Sequence, residues 1–340
     1  MIKILPVIIS ILLLYKAELL PEKEYNKDYL SVKTTTILKG YLAFFVFFQH
    51  IQGYSQGSSL FLIPFQKYGY LAVGAFFFLS AYGLCFQYLN KENYQKSFIS
   101  KRINRIVVPY FIVSLIYLFY FNLTGHNYNL LTIIQRILSG DPLATYTWFI
   151  CEIIIIYFLF YISITLIKDK KTAIYFACVL IIFLKYLLKI KIGESTNLVW
   201  WYESTHMFAI GLLYCYYENK ILHFIYRLYS VLLSLCLMLF AISLFNYLPI
   251  DISEIIFVLL IILFSLKIKI NSRVMEFMGK ISLYFYMFQG LSIRIVRRFI
   301  YFDSLFVMFS LMIILDIVMA FVFQKIYDYI INRIFHSVKS

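Results

Sequence analysis

The chain has 340 residues, of which 62% are hydrophobic and 14% charged, against about 45–50% and about 25% in soluble globular proteins. A soluble fold is excluded, because its surface would have to be as greasy as its core. Lys and Arg number 31 against 17 Asp and Glu, a net charge of +14; in a membrane chain that excess reads as basic cytoplasmic loops rather than as nucleic-acid binding. The apolar residues form long unbroken runs, such as 153–167 and 231–244, not the short alternating segments of a β-barrel. The expected fold is therefore all-α: a polytopic transmembrane helical bundle of about 10–11 spans, a single integral membrane domain over 1–340.

A spanning helix needs about 20 mostly apolar residues. The first candidate, 2–20, resembles a signal-peptide core, but no small-residue cleavage site comes before Glu18 and Pro21, so it reads as an extra retained helix. The second, 37–53, carries Lys39 and His50. Eleven steps of about 100° put both on one helix face, separated by about 16 Å along the axis. Alone, Lys39 reads as a snorkelling anchor and His50 as a packing group; together on one face inside a membrane they point to function.

The third span is 69–89, and the loop to the fourth, 106–123, holds Lys91, Lys96, Lys101, Arg102 and Arg105. After the longer loop 122–146, the fifth span, 147–167, carries Glu152 at a depth comparable with His50. Lys168, Lys170 and Lys171 precede the sixth, 173–190. The seventh, 199–217, opens on Trp200-Trp201-Tyr202, an aromatic belt, followed by Glu203 and His206. The remaining spans are 222–246, 250–268, 279–300 and 304–326, the last with Asp316 near its middle.

The basic loops fall on one side, expected to be the cytoplasm, and so does the loop with Lys23, Lys27 and Lys33. Arg294, Arg297 and Arg298 would face outward against the rule, which means either a function or a miscounted tenth span. The five cysteines sit in apolar runs without metal-ligand spacing, so they read as small hydrophobes and no metal site is expected.

Four segments in order resemble the acyltransferase-3 family of membrane O-acyltransferases, which modify cell-surface glycans. Lys39-Gly40 followed by His50 is similar to its (R/K)-x10-H opening, and 69–82 (GYLAVGAFFFLSAY) to its G-x-x-G-V-x-x-F-F-x-L-S-G-(F/Y) helix. Residues 100–109 (SKRINRIVVP) are similar to its R-x-x-R-(I/L)-x-x-P junction, and 277–289 (FMGKISLYFYMFQ) to its L-G-x-I-S-Y-x-x-Y-x-x-H stretch. The resemblance implies an acyltransferase-like bundle over 36–326. Ala81 stands where Gly is usual and Gln289 where His is common, so no catalytic role is carried to Gln289. The 2–20 run adds one span to the usual ten, and no esterase-type domain follows, so a stand-alone transferase is expected.

The resemblance implies transfer of an acyl group, most simply acetyl, from cytoplasmic acetyl-CoA to a hydroxyl of a cell-envelope saccharide or lipid-linked glycan, in the multi-pass setting of a bacterial inner or plasma membrane. The residues suit that chemistry. His50 is the expected base, since an imidazole exchanges protons near neutral pH; Glu152, first by its depth, then Asp316, Glu203 and His206 are the candidates for its orienting partner. Lys39, Arg102 and Arg105 are expected to hold the donor's phosphates. Two rival classes are a polysaccharide flippase or exporter, which often shows internal repeats, and a membrane glycan polymerase, for which Arg136 alone in the loop 122–146 is meagre. No repeat joins the two halves of the chain.

Overall fold

The computed structural model describes residues 16–52, 54, 63–126, 128–138, 141–193, 198–299 and 304–337. Most of the expected first span, 1–15, lies outside the described residues. Its last residues are not helical: Ala17–Leu19 form strand β1, antiparallel to β2, Ile268–Ile270. Register explains the choice, because Glu18 stands opposite Lys269 and an opposite-charge pair across two strands is favourable.

Ten longer helices carry the fold: α1 Val32–Gln52, α2 Ile63–Asn90, α3 Val108–Leu123, α4 Leu130–Leu138 and α5 Trp148–Leu166. They continue with α6 Lys170–Ile192, α7 His206–Ser243, α8 Ile250–Lys267, α9 Arg273–Phe299 and α10 Leu305–Ser337. Among the described residues, six helical runs are long and apolar enough to cross a membrane. Helices α1, α8 and α9, expected as spans too, mix charged or polar residues into their apolar runs and so fall outside those six.

Long-range contacts sort the helix ends into two layers. At one end Lys170 Nζ donates to Leu89 O (2.8 Å), Lys33 Nζ to Asn271 Oδ1 (3.0 Å), and Tyr327 to Asn104 O. At the other, Tyr68 donates to Leu244 O, Arg298 Nη2 to Thr124 O (3.3 Å), and Lys185 pairs with Asp251 (2.6 Å). Lys39 lies toward the first layer and His50 in the second, so the layers are named the Lys39 end and the His50 end.

Two local features shape the bundle. The spans expected at 199–217 and 222–246 fall largely in one helix, α7, broken at Leu228 (φ −123°, ψ 23°). Beside the break the Tyr226 carbonyl accepts from the Tyr25 hydroxyl (3.4 Å), and the contacts of His206 with Asp251 and of Leu244 with Tyr68 put both ends of α7 at the His50 end. The second feature is the junction before α3. Pro109 has no N–H and its ring crowds the carbonyl four residues earlier. The chain widens there into a π turn, Ile103–Val107, with Val108 N–H bonded to Ile103 O; such bulges recur at functional sites.

Helices α1 and α9 run side by side at the centre. A Cβ on Gly40 would strike Met275 O, and one on Gly279 would strike Thr36 O, so the two backbones meet with no side chain between them. Further along, Phe285 packs on Phe44 (5.7 Å) and Phe47 (5.3 Å). This contact sets the rotation of α1 and therefore where Lys39 and His50 point.

Candidate active site

Lys39 lines a cavity of 170 Å³ between α1, α2, α5 and α9. Its walls are mostly apolar, among them Val46, Phe76, Phe149 and Ile153, with Ser80 and Ser282 as polar points. From Lys39 to Val46 it follows α1 for about 10 Å. Lys39 has no carboxylate partner among the described residues, and its electrostatic neighbour is another cation, Arg102.

Arg102 is fixed by the turns that Pro109 forces. Its Nη2 donates to Tyr94 Oη (3.2 Å), and its guanidinium lies over the rings of Phe98 (5.3 Å) and Tyr157 (5.1 Å). Tyr157 also lines the Lys39 cavity, while Arg102 Nε is buried without a partner. Arg105 is exposed, within electrostatic reach of Tyr94. Adjacent cations without acids make a mouth suited to an anion.

At the cavity's other end stands Tyr286, whose hydroxyl donates to Tyr146 O (2.5 Å). The Tyr146 ring stacks on His50, with centroids 4.2 Å apart and planes 11° off parallel. Tyr146 holds φ +69°, an uncommon conformation for a bulky residue, costing of order 1–3 kcal/mol, of the kind that gathers at functional sites. Its hydroxyl meets that of Tyr54 (3.0 Å), and Arg297 lies over the Tyr54 ring (4.2 Å). Arg294 Nε donates to Thr145 Oγ1 (3.2 Å). The arginines that contradict the charge rule therefore surround the His50 end.

His50 is half-buried, and its Nδ1 has no hydrogen-bond partner. The Gln289 amide, fully buried, stands close enough to act on the ring but short of hydrogen-bond geometry. Glu152 keeps other company: Thr205 Oγ1 donates to its Oε1 (2.5 Å), and its electrostatic neighbour is Lys185. It belongs to a polar cluster in which Ser204 donates to Glu254 Oε1 (2.5 Å) and His206 Nε2 lies 3.5 Å from Glu254 Oε2. Lys185 Nζ reaches His206 Nδ1 (3.1 Å) and Asp251 Oδ2 (2.6 Å). Asp316 is fully buried, and neither carboxylate oxygen has a hydrogen-bond partner.

The structure thus brings Lys39 and Arg102 to one mouth and places His50 beyond the far wall of the same cavity, with Tyr286 and Tyr146 between. Residues 35–324 match the family described as an acyltransferase domain, the acyltransferase-3 family. The chain belongs to that family. Comparison with curated proteins and with solved structures returned no match. In this acyltransferase, a multi-pass membrane protein, the family-like segments converge on one place. The 69–82 helix packs Gly69 against the Gln49 side chain beside His50 and Gly74 against Glu254, and the 277–289 segment supplies Ser282, Tyr286 and Gln289. Sequence reasoning singled out neither Tyr146 nor Tyr286: Tyr286 fills the second tyrosine of the L-G-x-I-S-Y-x-x-Y-x-x-H stretch, a signal that could have found it, whereas Tyr146 lies in a loop without a motif.

Proposed function

We propose that this acyltransferase moves an acetyl group from cytoplasmic acetyl-CoA to a hydroxyl of a cell-envelope saccharide. One observation carries the reading: an apolar cavity with two unneutralised cations at its mouth leads toward a histidine at the opposite end of the same helix face. The donor's phosphates would lie at Lys39 and Arg102, with Arg105 at the rim, where charge-assisted bonds are strongest. Only the thin acyl-bearing arm would enter between Ser80 and Ser282.

His50 takes the proton of the acceptor hydroxyl as that oxygen bonds to the thioester carbonyl carbon. The carbon–sulfur bond then breaks, and the thiolate takes up a proton, leaving an ester and a free thiol. The Tyr146 ring face stabilises the imidazolium formed in between. Arg294 and Arg297 favour an acceptor that carries negative charge.

Two measurements test this. Acetyl-CoA should bind saturably to the protein in lipid nanodiscs, and Lys39→Ala and Arg102→Ala should each weaken that binding. His50→Ala should bind donor normally yet lose transfer by about 10²–10⁴-fold, the usual contribution of a positioned base. Full transfer by His50→Ala would overturn its role, and a folded protein that binds no acetyl-CoA would overturn the donor.

A further inference from the structure

A second and larger cavity, of 910 Å³, opens on the side of the bundle between α3, α5 and α6. Phe111 and Leu115, two of its lining residues, are 62% and 47% exposed, so the crevice faces the hydrocarbon layer. Its lining is apolar, with Ile155 and Leu188 opposite those two. From Val107, the last residue of the π turn, it extends along α3 to Leu118, about 16 Å, or roughly half of a hydrocarbon core about 30 Å thick. That is the depth of one leaflet.

The mouth at the His50 end is polar. Asp141, Lys191 and Trp201 stand there. Arg136 pairs with Asp141 at 2.8 Å, so Lys191, exposed and without a partner among the described residues, is left as a free positive charge. The Trp201 ring packs on Trp148 (6.2 Å), the first residue of α5.

Helix α5 is the shared wall of the two cavities. Ile150 and Ile153 face the Lys39 cavity, whereas Cys151 and Ile155 face the crevice. Tyr110, which accepts from Cys151 Sγ (3.4 Å), lines the crevice and lies within electrostatic reach of Tyr286 at the end of the first cavity.

We propose that the crevice seats the hydrocarbon chain of a membrane-anchored acceptor whose anionic head is held at Lys191. The acceptor then reaches His50 from within the leaflet, not as a free polysaccharide. The inference rests on the transferase reading above and names its acceptor class. A water-soluble glycan has no use for an apolar recess one leaflet deep. A lipid with a phosphate-bearing head matches the recess in length, polarity and charge, and it delivers its head beside Trp148.

The test uses the full chain in phosphatidylcholine nanodiscs containing a small share of phosphatidylglycerol with a diazirine-bearing tail. Photocrosslinks should map to 107–118, 151–155 and 188–192. Ser114→Trp and Leu188→Trp, which fill the crevice from opposite walls, should bring them to background with Tm and acetyl-CoA binding unchanged. Lys191→Gln should abolish the preference for this probe over its phosphatidylcholine counterpart. Crosslinks spread evenly over all lipid-facing helices, or indifferent to both plugs, would mean bulk lipid and overturn the proposal.

With radiolabelled acetyl-CoA and an extract of the native membrane, label should enter solvent-extractable lipid and disappear in both plugged variants. Label confined to water-soluble glycan, equal in wild type and plugs, would overturn the proposal and leave the transferase intact. No label anywhere would retire the transferase reading and the acceptor role with it, whatever the crosslinks show.

Discussion

His50, the proposed base, has no carboxylate at its ring among the described residues. The two groups described against it are a tyrosine face and the Gln289 amide. A base that gains a proton needs something to favour the cation, and a π face provides it without holding the ring charged beforehand. Gln289 is fully buried with no hydrogen-bond partner at either end of its amide, an arrangement that lowers stability unless the amide engages something during the reaction. Gln289→Leu, close in volume, should therefore leave Tm equal or higher and acetyl-CoA binding intact, while transfer falls. An unchanged rate would reduce Gln289 to packing. Lys39 and His50 could be read from sequence because one helix fixes their relative phase. The ring on His50 could not, since Tyr146 comes from a loop whose path no periodicity encodes. Glu152 was legible in depth but not in partner, because the rotation of α5 is set by its neighbours and turns the carboxylate toward Thr205.

The elements were legible where composition changes sharply and less so where the chain bends within a helix. The ends of α5, α6 and α8 fall within a few residues of the expected spans, since charge marks them. The return at Leu228 carries no Pro or Gly, and the π turn is signalled only by Pro109. What holds the site together is the close crossing of α1 and α9. Gly279→Val would drive a side chain into the Thr36 backbone, and overpacking of that kind costs about 1–3 kcal/mol. Its Tm should fall, and donor binding should weaken with it as Lys39 is displaced. A variant with normal Tm would show that the helices can part freely. Helix α6 offers a gentler test. Asp169 caps it by accepting from Thr172 Oγ1 (2.7 Å) and Thr172 N (2.8 Å), first the hydroxyl and then the amide holding its carboxyl below the usual 3.8. A depressed folded value contributes stability above pH 3.8 and loses it as the pH falls through the folded value. Asp169→Ala should therefore lower Tm at neutral pH, with the gap to wild type closing in acid, whereas Asp169→Asn should keep a cap indifferent to pH.

At the scale of the whole molecule, the two ends must face different compartments for the proposed transfer to occur. The Lys39 mouth opens where Arg102, Lys170 and Lys33 gather, and His50 lies at the opposite end with Arg294 and Arg297. Loop charge alone leaves this ambiguous, because those arginines oppose the trend. In the structure Arg294, Arg297 and Arg298 have partners at the His50 end, in Thr145, the Tyr54 ring and Thr124 O, so their charge is a weak guide to sidedness. Two exposed positions then report sidedness. Glu92 is in the turn after α2, at the Lys39 end, and Tyr247, 78% exposed, follows α7 at the His50 end. Native thiols interfere little, since Cys85, Cys178, Cys215 and Cys236 are buried and Cys151 faces the lipid-side crevice. A membrane-impermeant maleimide applied to intact cells should label Tyr247→Cys, and Glu92→Cys only after permeabilisation. The reverse pattern would put the cationic mouth outside, beyond the reach of cytoplasmic acyl-CoA, and remove the donor from the proposal. Equal labelling of both in intact cells would mean that α2 and α7 do not separate these positions by a bilayer, and the path from Lys39 to His50 would then join two points on one face.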